Sequence, residues 1–243
     1  MSLKLVLSLT GIPALFAGVL MFSPAATAQT PQPDASQSQH MLAERQVKQQ
    51  EKQRILGVVP EFNISNIQDA ATLSPGQKFE LATKSALDPF AFVAAGFDAG
   101  LSQADNDFAG YGQGAQGYAK RFAASYMDSF DGTMLGNAVF PILFHQDPRY
   151  FRRGEGSFAS RLLYAAASTV RCKGDDGDWQ FNYSNVLGNL TAGGIANVYY
   201  PQADRGAALI FQRALTVTAE GAIGAAFYEF WPDIERKMFH KRQ

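Results

Sequence analysis

The sequence predicts an all-α protein: a single domain of about six Gly/Ala-rich helices with one small β-hairpin, preceded by a signal peptide and a polar tether. Three observations carry this. Helix-start signals of the form Ser/Asp-Pro recur at Ser74-Pro75 and Asp88-Pro89, where a capping side chain is followed by a residue already fixed near helical φ. The apolar residues that follow recur at helical spacing, with few β-branched runs. Small residues fall three to five apart in the presumed helices, at Gly96/Gly100, Gly188/Gly193-Gly194 and Gly221/Gly224, a spacing that lets helix backbones approach closely.

The elements follow in order. Lys4 precedes an apolar run from Leu5 to Phe22, and Ala26-Thr27-Ala28 presents small residues before a polar stretch. That is the layout of a cleaved secretory signal over residues 1–28. An uncut N-terminal anchor is the alternative, since the run just reaches spanning length. Residues 29–53 are Gln-, Ser- and Pro-rich and then charged, which predicts a disordered tether passing into a solvated, fraying helix. Residues 54–67, with Pro60, read as an extended segment laid along the domain. Ser74, Pro75 and Gln77 form a capping-box start for a helix to about Ala86, and Asp88-Pro89 starts the next, to about 103. The Gly- and Asp-rich stretch from Asp105 to Gly117 reads as a loop. A helix from about Gln116 to Phe130 follows, then another from about Thr133 to Phe144 with a break or bend at Gly132 and Gly136 and a kink at Pro141. Asp147-Pro148 starts a turn or short helix, and Ser157 caps a helix over about 158–170. Lys173 to Asp178, between β-prone arms, predicts the hairpin. Ser184 opens a helix to Tyr199, and the last helix runs from about Asp204 to Phe230, stopped by Trp231-Pro232. On it Gln212, Arg213, Thr216 and Glu220 share one side of the wheel. The helical domain therefore spans 54–234, with a basic tail at 235–243.

Composition narrows the function. The chain has 243 residues, 21 Lys+Arg and 22 Asp+Glu. Lys4 is the single charge in residues 1–28, which leaves a net of about −2 for the rest; no basic excess points to nucleic acid. Cys172 is the one cysteine, so the domain must be held by packing and not by disulfides. No HExxH, GxSxG or clustered Cys/His set is present, and no motif implies a cofactor or a metal.

The densest polar cluster is His145-Gln146-Asp147-Pro148-Arg149-Tyr150-Phe151-Arg152-Arg153. A histidine near a carboxylate and a phenol suits acid–base chemistry, with His145, Asp147 and Tyr150 as its candidates. The same residues also suit a helix cap and a buried hydrogen-bonding histidine. Arg149, Arg152 and Arg153 suit an anion or a ligand rim, or pair with the acidic stretch Asp88, Asp98, Asp105 and Asp107. Gly112 to Gly117 matches GxGxxG but lacks the preceding strand that a dinucleotide site needs. It reads as a glycine loop where two elements cross, or as a helix start holding an anion with Lys120 and Arg121. Asp175, Asp176 and Asp178 lack the spacing and distal glutamate of a calcium loop and read as a turn.

The segments GQGAQGYAKR (112–121), QDPRYF (146–151), NVYYP (197–201) and EFWPD (229–233) together resemble a family of uncharacterised exported bacterial proteins, often from soil bacteria. The likeness covers about residues 54–234. It implies one exported domain in the periplasm or cell envelope, with outer-membrane association left open. It implies no catalytic residue, cofactor or substrate.

Three functions follow as expectations. The first is a non-enzymatic binder of an apolar ligand, a lipid or a membrane-associated envelope partner, with 19 phenylalanines available to line a groove. No internal run is long enough to span a bilayer, so membrane contact would be peripheral. The second is an envelope hydrolase or transferase using His145 with Asp147 or Tyr150. The third is a scaffold component, marked by self-association and wide apolar surface.

Overall fold

The computed structural model describes residues 35–50, 54–55, 59–60 and 62–239. The expected signal peptide and residues 29–34 lie outside them. The all-α expectation holds: helices dominate and the strands are two- and three-residue pairs.

The first helix corrects the tether reading. α1 (Ala35–Gln50) is docked on the domain, because Ala43 and Val47 present apolar surface on one side. Val47 is buried in a cluster with Phe62, Leu73 and Leu81, and Gln46 Oε1 accepts the Ala71 amide at 3.0 Å. Its outer side carries the Glu44–Lys48 pair.

β1 (Arg54–Ile55) pairs antiparallel with β2 (Val59–Pro60). β3 (Ile64–Ser65) pairs parallel with β4 (Tyr150–Phe151). β4 corrects the turn or short helix expected after Asp147. Asp147 Oδ1 accepts the Arg149 amide at 2.9 Å, Pro148 has no N–H to donate, and the amides of Tyr150 and Arg152 are taken by the Asn63 and Ser65 carbonyls at 2.8 and 2.9 Å.

α2 (Pro75–Ala86) has the expected capping box between Ser74 and Gln77. Asp88 caps α3 (Pro89–Ala104), accepting the Phe90 amide at 2.8 Å. α4 (Gly114–Met134) does not break at Gly132. It passes through a π-helical turn, Leu135–Val139, into α5 (Phe140–Leu143). The cause lies at Pro141, which cannot donate to the Asn137 carbonyl; the Phe140 amide reaches back to Leu135 instead. Gly132 serves packing: a Cβ there would already touch Val217 at 3.4 Å.

α6 (Phe158–Ala167) is capped by Ser157. β5 (Arg171–Lys173) and β6 (Trp179–Phe181) form the expected hairpin, with Cys172 opposite Gln180. α7 (Tyr183–Ala196) is capped by Asn182, not Ser184. Ser184 is buried and donates to Gln146 Oε1. α8 (Ala207–Phe239) starts later than expected, since Asp204 lies in a 3₁₀ turn, and it runs through Pro232 into the expected tail. The turn that Pro232 disturbs is supplied with side-chain donors: Arg152 Nε and Arg161 Nη2 both donate to the Glu229 carbonyl, at 3.1 and 2.5 Å.

α3 packs on α4, α4 on α7, α7 on α8 and α8 on α6, which leaves α3 and α6 at the flanks of the row. Close approach through glycine is realised at two of the expected places. A Cβ on Gly188 would lie 3.0 Å from the Gly136 backbone, and one on Gly193 would lie 2.5 Å from the Ile210 carbonyl oxygen. At Gly100, Gly221 and Gly224 a Cβ would meet nothing within 4 Å, so those glycines do not mediate helix contact.

Candidate functional surface and the buried ion pairs behind it

The sequence-predicted cluster is divided among separate tasks. His145 sits in the left-handed region at φ 52° with its side chain 85% exposed, and Nδ1 stands 3.9 Å from Asp175 Oδ2. Asp147 is buried and locked to Arg149, whose Nη2 lies 2.6 Å from Oδ2 and also reaches the Ala71 carbonyl at 2.7 Å. Tyr150 turns away and donates to Glu229 Oε2 at 2.7 Å. The structure therefore does not bring His145, Asp147 and Tyr150 together.

The three arginines do not form a shared rim. Arg149 is buried against Asp147, Arg152 donates to the Glu229 carbonyl, and Arg153 donates to Ser160 at 2.9 Å. Nor is the expected pairing with residues 88–107 what neutralises this region; Arg149 and Arg161 take their counter-ions from Asp147, Glu229 and Asp233. At the GxGxxG segment Arg121 is buried and spent on the chain's own loop, donating to the Asp107 and Gly112 carbonyls and to Gln103 Oε1 at 2.6–3.0 Å. The Gly112 carbonyl occupies the space a Gly117 side chain would need, which is the crossing-loop reading. Lys120 is exposed.

Two buried centres went unread in the sequence. Glu229 is fully buried and accepts four hydrogen bonds: from the Tyr150 hydroxyl (2.7 Å), the Arg153 and Gly154 amides (3.0 and 2.8 Å) and Arg161 Nε (2.8 Å). Burial alone would raise its pKa. The bonds from Tyr150, Arg161 and the two amides outweigh it and hold the carboxyl below the usual range. Asp128 is the second centre, with Arg213 Nη2 at 2.7 Å and the hydroxyls of Tyr199 and Tyr200 at 2.7 and 2.6 Å. Here burial prevails and pushes the carboxyl upward against Arg213 and the two tyrosines. Burial and the neighbouring Asp128 in turn push both tyrosines upward. The hint for both centres was a carboxylate flanked by aromatic side chains, Tyr126 and Phe130 around Asp128, and Tyr228 and Phe230 around Glu229.

Around this charged interior the helices carry apolar side chains outward. α3 exposes Phe92, Val93, Phe97 and Leu101, α6 exposes Phe158, Leu162 and Leu163, and α7 exposes Leu187 and Ile195. α8 adds Phe211, Leu215 and Ile223, each at least 60% exposed. The inward positions of the same helices are small or polar: Ala95 and Ala99, Arg161 and Ala165, Gly188, Asn189 and Ala192, Arg213 and Ala214. Over α3, α6, α7 and residues 207–228 of α8 the ionisable acids and bases are Asp98, Arg161, Arg213 and Glu220, and the two arginines are buried. A helix on the surface of a water-exposed domain has the opposite polarity.

Glu220 is exposed and Asp98 half-buried; the other charges that reach the surface lie elsewhere. Asp105, Asp107 and Arg205 lie in turns beyond α3 and α7, and Arg153, Glu155, Asp176 and Asp178 lie around the strand pairs. α1 and α2 carry ordinary i,i+4 ion pairs, Glu44–Lys48 and Glu80–Lys84. No helix among the described residues is long and apolar enough to cross a membrane. Among the described residues no three His, Cys, Asp or Glu side chains come together to hold a metal ion.

No protein-family model, curated protein or solved structure matches the chain.

Proposed function

We propose that this is a non-enzymatic protein of the bacterial cell envelope that seats its helical body against lipid. The observation that carries the reading is the inverted polarity of α3, α6, α7 and residues 207–228 of α8: apolar side chains out and both arginines in, with Glu220 the one exposed charge among them. Isolated surface leucines are ordinary, but apolar rows on both flanks and on the helices between them are not. The rows lie on four helices, α3 and α6 at the flanks and α7 and α8 between them, which suits a surrounding phase better than a single partner. Buried Arg149, Arg161 and Arg213 each carry a counter-ion with them, as lipid contact requires.

The geometry suits entry from one side. The 14 residues of α7 rise about 21 Å, less than the ~30 Å of a hydrocarbon core. The body then sits partway into the layer, with the ion-paired outer sides of α1 and α2 toward water. Export through the N-terminal signal supplies the route to the envelope and is part of the same proposal.

The test is flotation with phosphatidylcholine vesicles, using the chain from Gln29 onward so that the Leu5–Phe22 run cannot itself partition. The parent chain should float with the vesicles. The triple variant Phe97→Asp, Leu163→Asp, Ile223→Asp should remain in the aqueous fraction while keeping its helical circular dichroism. Equal flotation of the two, or none for either, overturns the lipid reading.

The exposed rows also favour a second reading, a self-associating scaffold, because the same apolar surface can be covered by further copies. Sedimentation of the detergent-free protein as a defined oligomer that ignores vesicles would select it.

A further inference from the structure

Independently of the lipid-facing surface, we infer that the body holds a binding site for a small uncharged molecule with an apolar frame and a hydroxyl group. A cavity of about 340 Å³ lies between the β3–β4 pair, the π-helical turn, the β5–β6 hairpin and α8. That is at the small end of the range for ligand pockets and far more than one water requires. Exposed Arg171, Trp179 and Gly221 stand at its rim.

The walls show why the space exists. Gly136, Gly221 and Gly224 line the cavity, and a Cβ added to any of them would meet nothing within 4 Å. Neither packing nor positive φ requires glycine at these helical positions. Each costs roughly 1 kcal/mol relative to alanine in a helix interior. What the three glycines provide in return is room. Gly136 sits in the π-helical turn, a distortion that recurs at functional sites.

The polar groups set the class of molecule. Asp147 and Arg149, which contribute to the lining, neutralise each other. Asn182 and Asn185 are spent on the chain's own backbone, through the Ser168 and Thr169 carbonyls and the Asn185 amide. Three groups are left over, the first being Arg149 Nη1, which is buried without a hydrogen-bond partner and can donate to the oxygen of a hydroxyl. Asn63 Oδ1 is buried and accepts no hydrogen bond, an arrangement that costs free energy until a donor arrives. Asn137, beside Gly136, makes no side-chain hydrogen bond within the described residues and supplies a donor and an acceptor. Phe62, Tyr164 and Trp179 line the remainder with aromatic surface. An apolar frame fits the glycine walls and rings, and a hydroxyl donates to Asn63 Oδ1. Arg171 is exposed at the rim with its guanidinium stacked over Trp179 at 4.7 Å, where water screens its charge.

The experiment is calorimetric titration of the full chain with three probes of nearly equal size: thymol, p-cymene (the same carbon frame without the hydroxyl) and 4-isopropylbenzoate. Thymol should bind saturably at one site, about tenfold more tightly than p-cymene, and the benzoate more weakly than thymol. Gly224→Leu should fill the cavity, weaken thymol at least tenfold and leave the melting temperature unchanged or raised, because leucine is the better helix former. Asn63→Leu should remove the preference for thymol over p-cymene. The inference is overturned if thymol does not saturate, if Gly224→Leu binds it unchanged, if p-cymene equals thymol on the parent chain, or if the benzoate binds tightest.

Discussion

Glu229→Gln should be the most damaging near-isosteric change in the molecule. The carboxylate is fully buried and each oxygen accepts two hydrogen bonds, Oε2 from Tyr150 and the Arg153 amide, Oε1 from the Gly154 amide and Arg161. The amide keeps one oxygen and must turn an NH₂ group toward two donors. Two hydrogen bonds to a charged acceptor are lost, at about 1.5–3 kcal/mol each. Arg161 also loses the fully buried one of its two counter-ions while keeping Asp233, and breaking a buried pair costs about 3–5 kcal/mol. These overlap, so the expected loss is about 3–4 kcal/mol. Urea unfolding in mild detergent measures it, followed by the fluorescence of buried Trp231 two residues away. Arg161→Met removes the partner, and the double variant should be less damaged than the sum of the two by about 2 kcal/mol. A loss under about 1 kcal/mol for Glu229→Gln, or strictly additive single effects, would refute the assignment of Glu229 as the centre that ties β4 and α6 to α8.

The remaining predictions are brief. The Glu229 carboxyl is held below its unfolded value, so its contribution is present above about pH 4.5 and is lost as pH falls through the depressed native value; stability should drop on acidification there, and Glu229→Gln should flatten that limb of the profile. Gly193→Val places a Cβ 2.5 Å from the Ile210 carbonyl oxygen and should cost about 1–3 kcal/mol by forcing α7 from α8, whereas Gly221→Ala, with open space around it, should be neutral or stabilising. The Cys172 thiol is buried and pushed up to about 12, by burial first and then by Asp147 and Asp175. It should therefore react with a disulfide reagent at pH 8 only at the rate of unfolding.

Much of the fold was legible because local chemistry and tertiary structure agree. Ser74, Asp88 and Ser157 cap the helices their sequence context promised, and the β-prone arms around the Asp175–Asp178 turn do pair. The misses occur where a distant partner overrides a local signal. Pro232 marks a helix end by itself, but Arg152 and Arg161, far away in sequence, supply donors to its disturbed turn. Asp147-Pro148 suits a helix start until the Asn63 and Ser65 carbonyls claim the next amides. α1 looked too polar to dock, yet Ala43 and Val47 on one face suffice.

The site was less legible for a related reason. Periodicity shows that a helix has a polar and an apolar side, and the usual assumption turns the polar side outward. The stripe containing Arg213 is where that fails, because Asp128, Tyr199 and Tyr200 receive the arginine inside. The sparse charge of α3, α6, α7 and residues 207–228 is visible in the sequence, but only the inward pairing of Arg161 and Arg213 shows which face is free. His145, Asp147 and Tyr150 are close in sequence but are separated because His145 is turned outward by a left-handed backbone, Asp147 is locked inside to Arg149 and Tyr150 is drawn to Glu229.

The most direct measurement is spin-label accessibility at Phe97, Leu163 and Ile223, each replaced in turn by a labelled cysteine in the full chain carrying Cys172→Ala and bound to vesicles, with Lys48 and Asp176 as water-facing references. The lipid-seated account predicts collisions with oxygen and protection from a water-soluble nickel chelate at the three helix positions. Access by the chelate at those positions, or exclusion of both reagents, would contradict it; the first result would put them in water and the second under another protein surface.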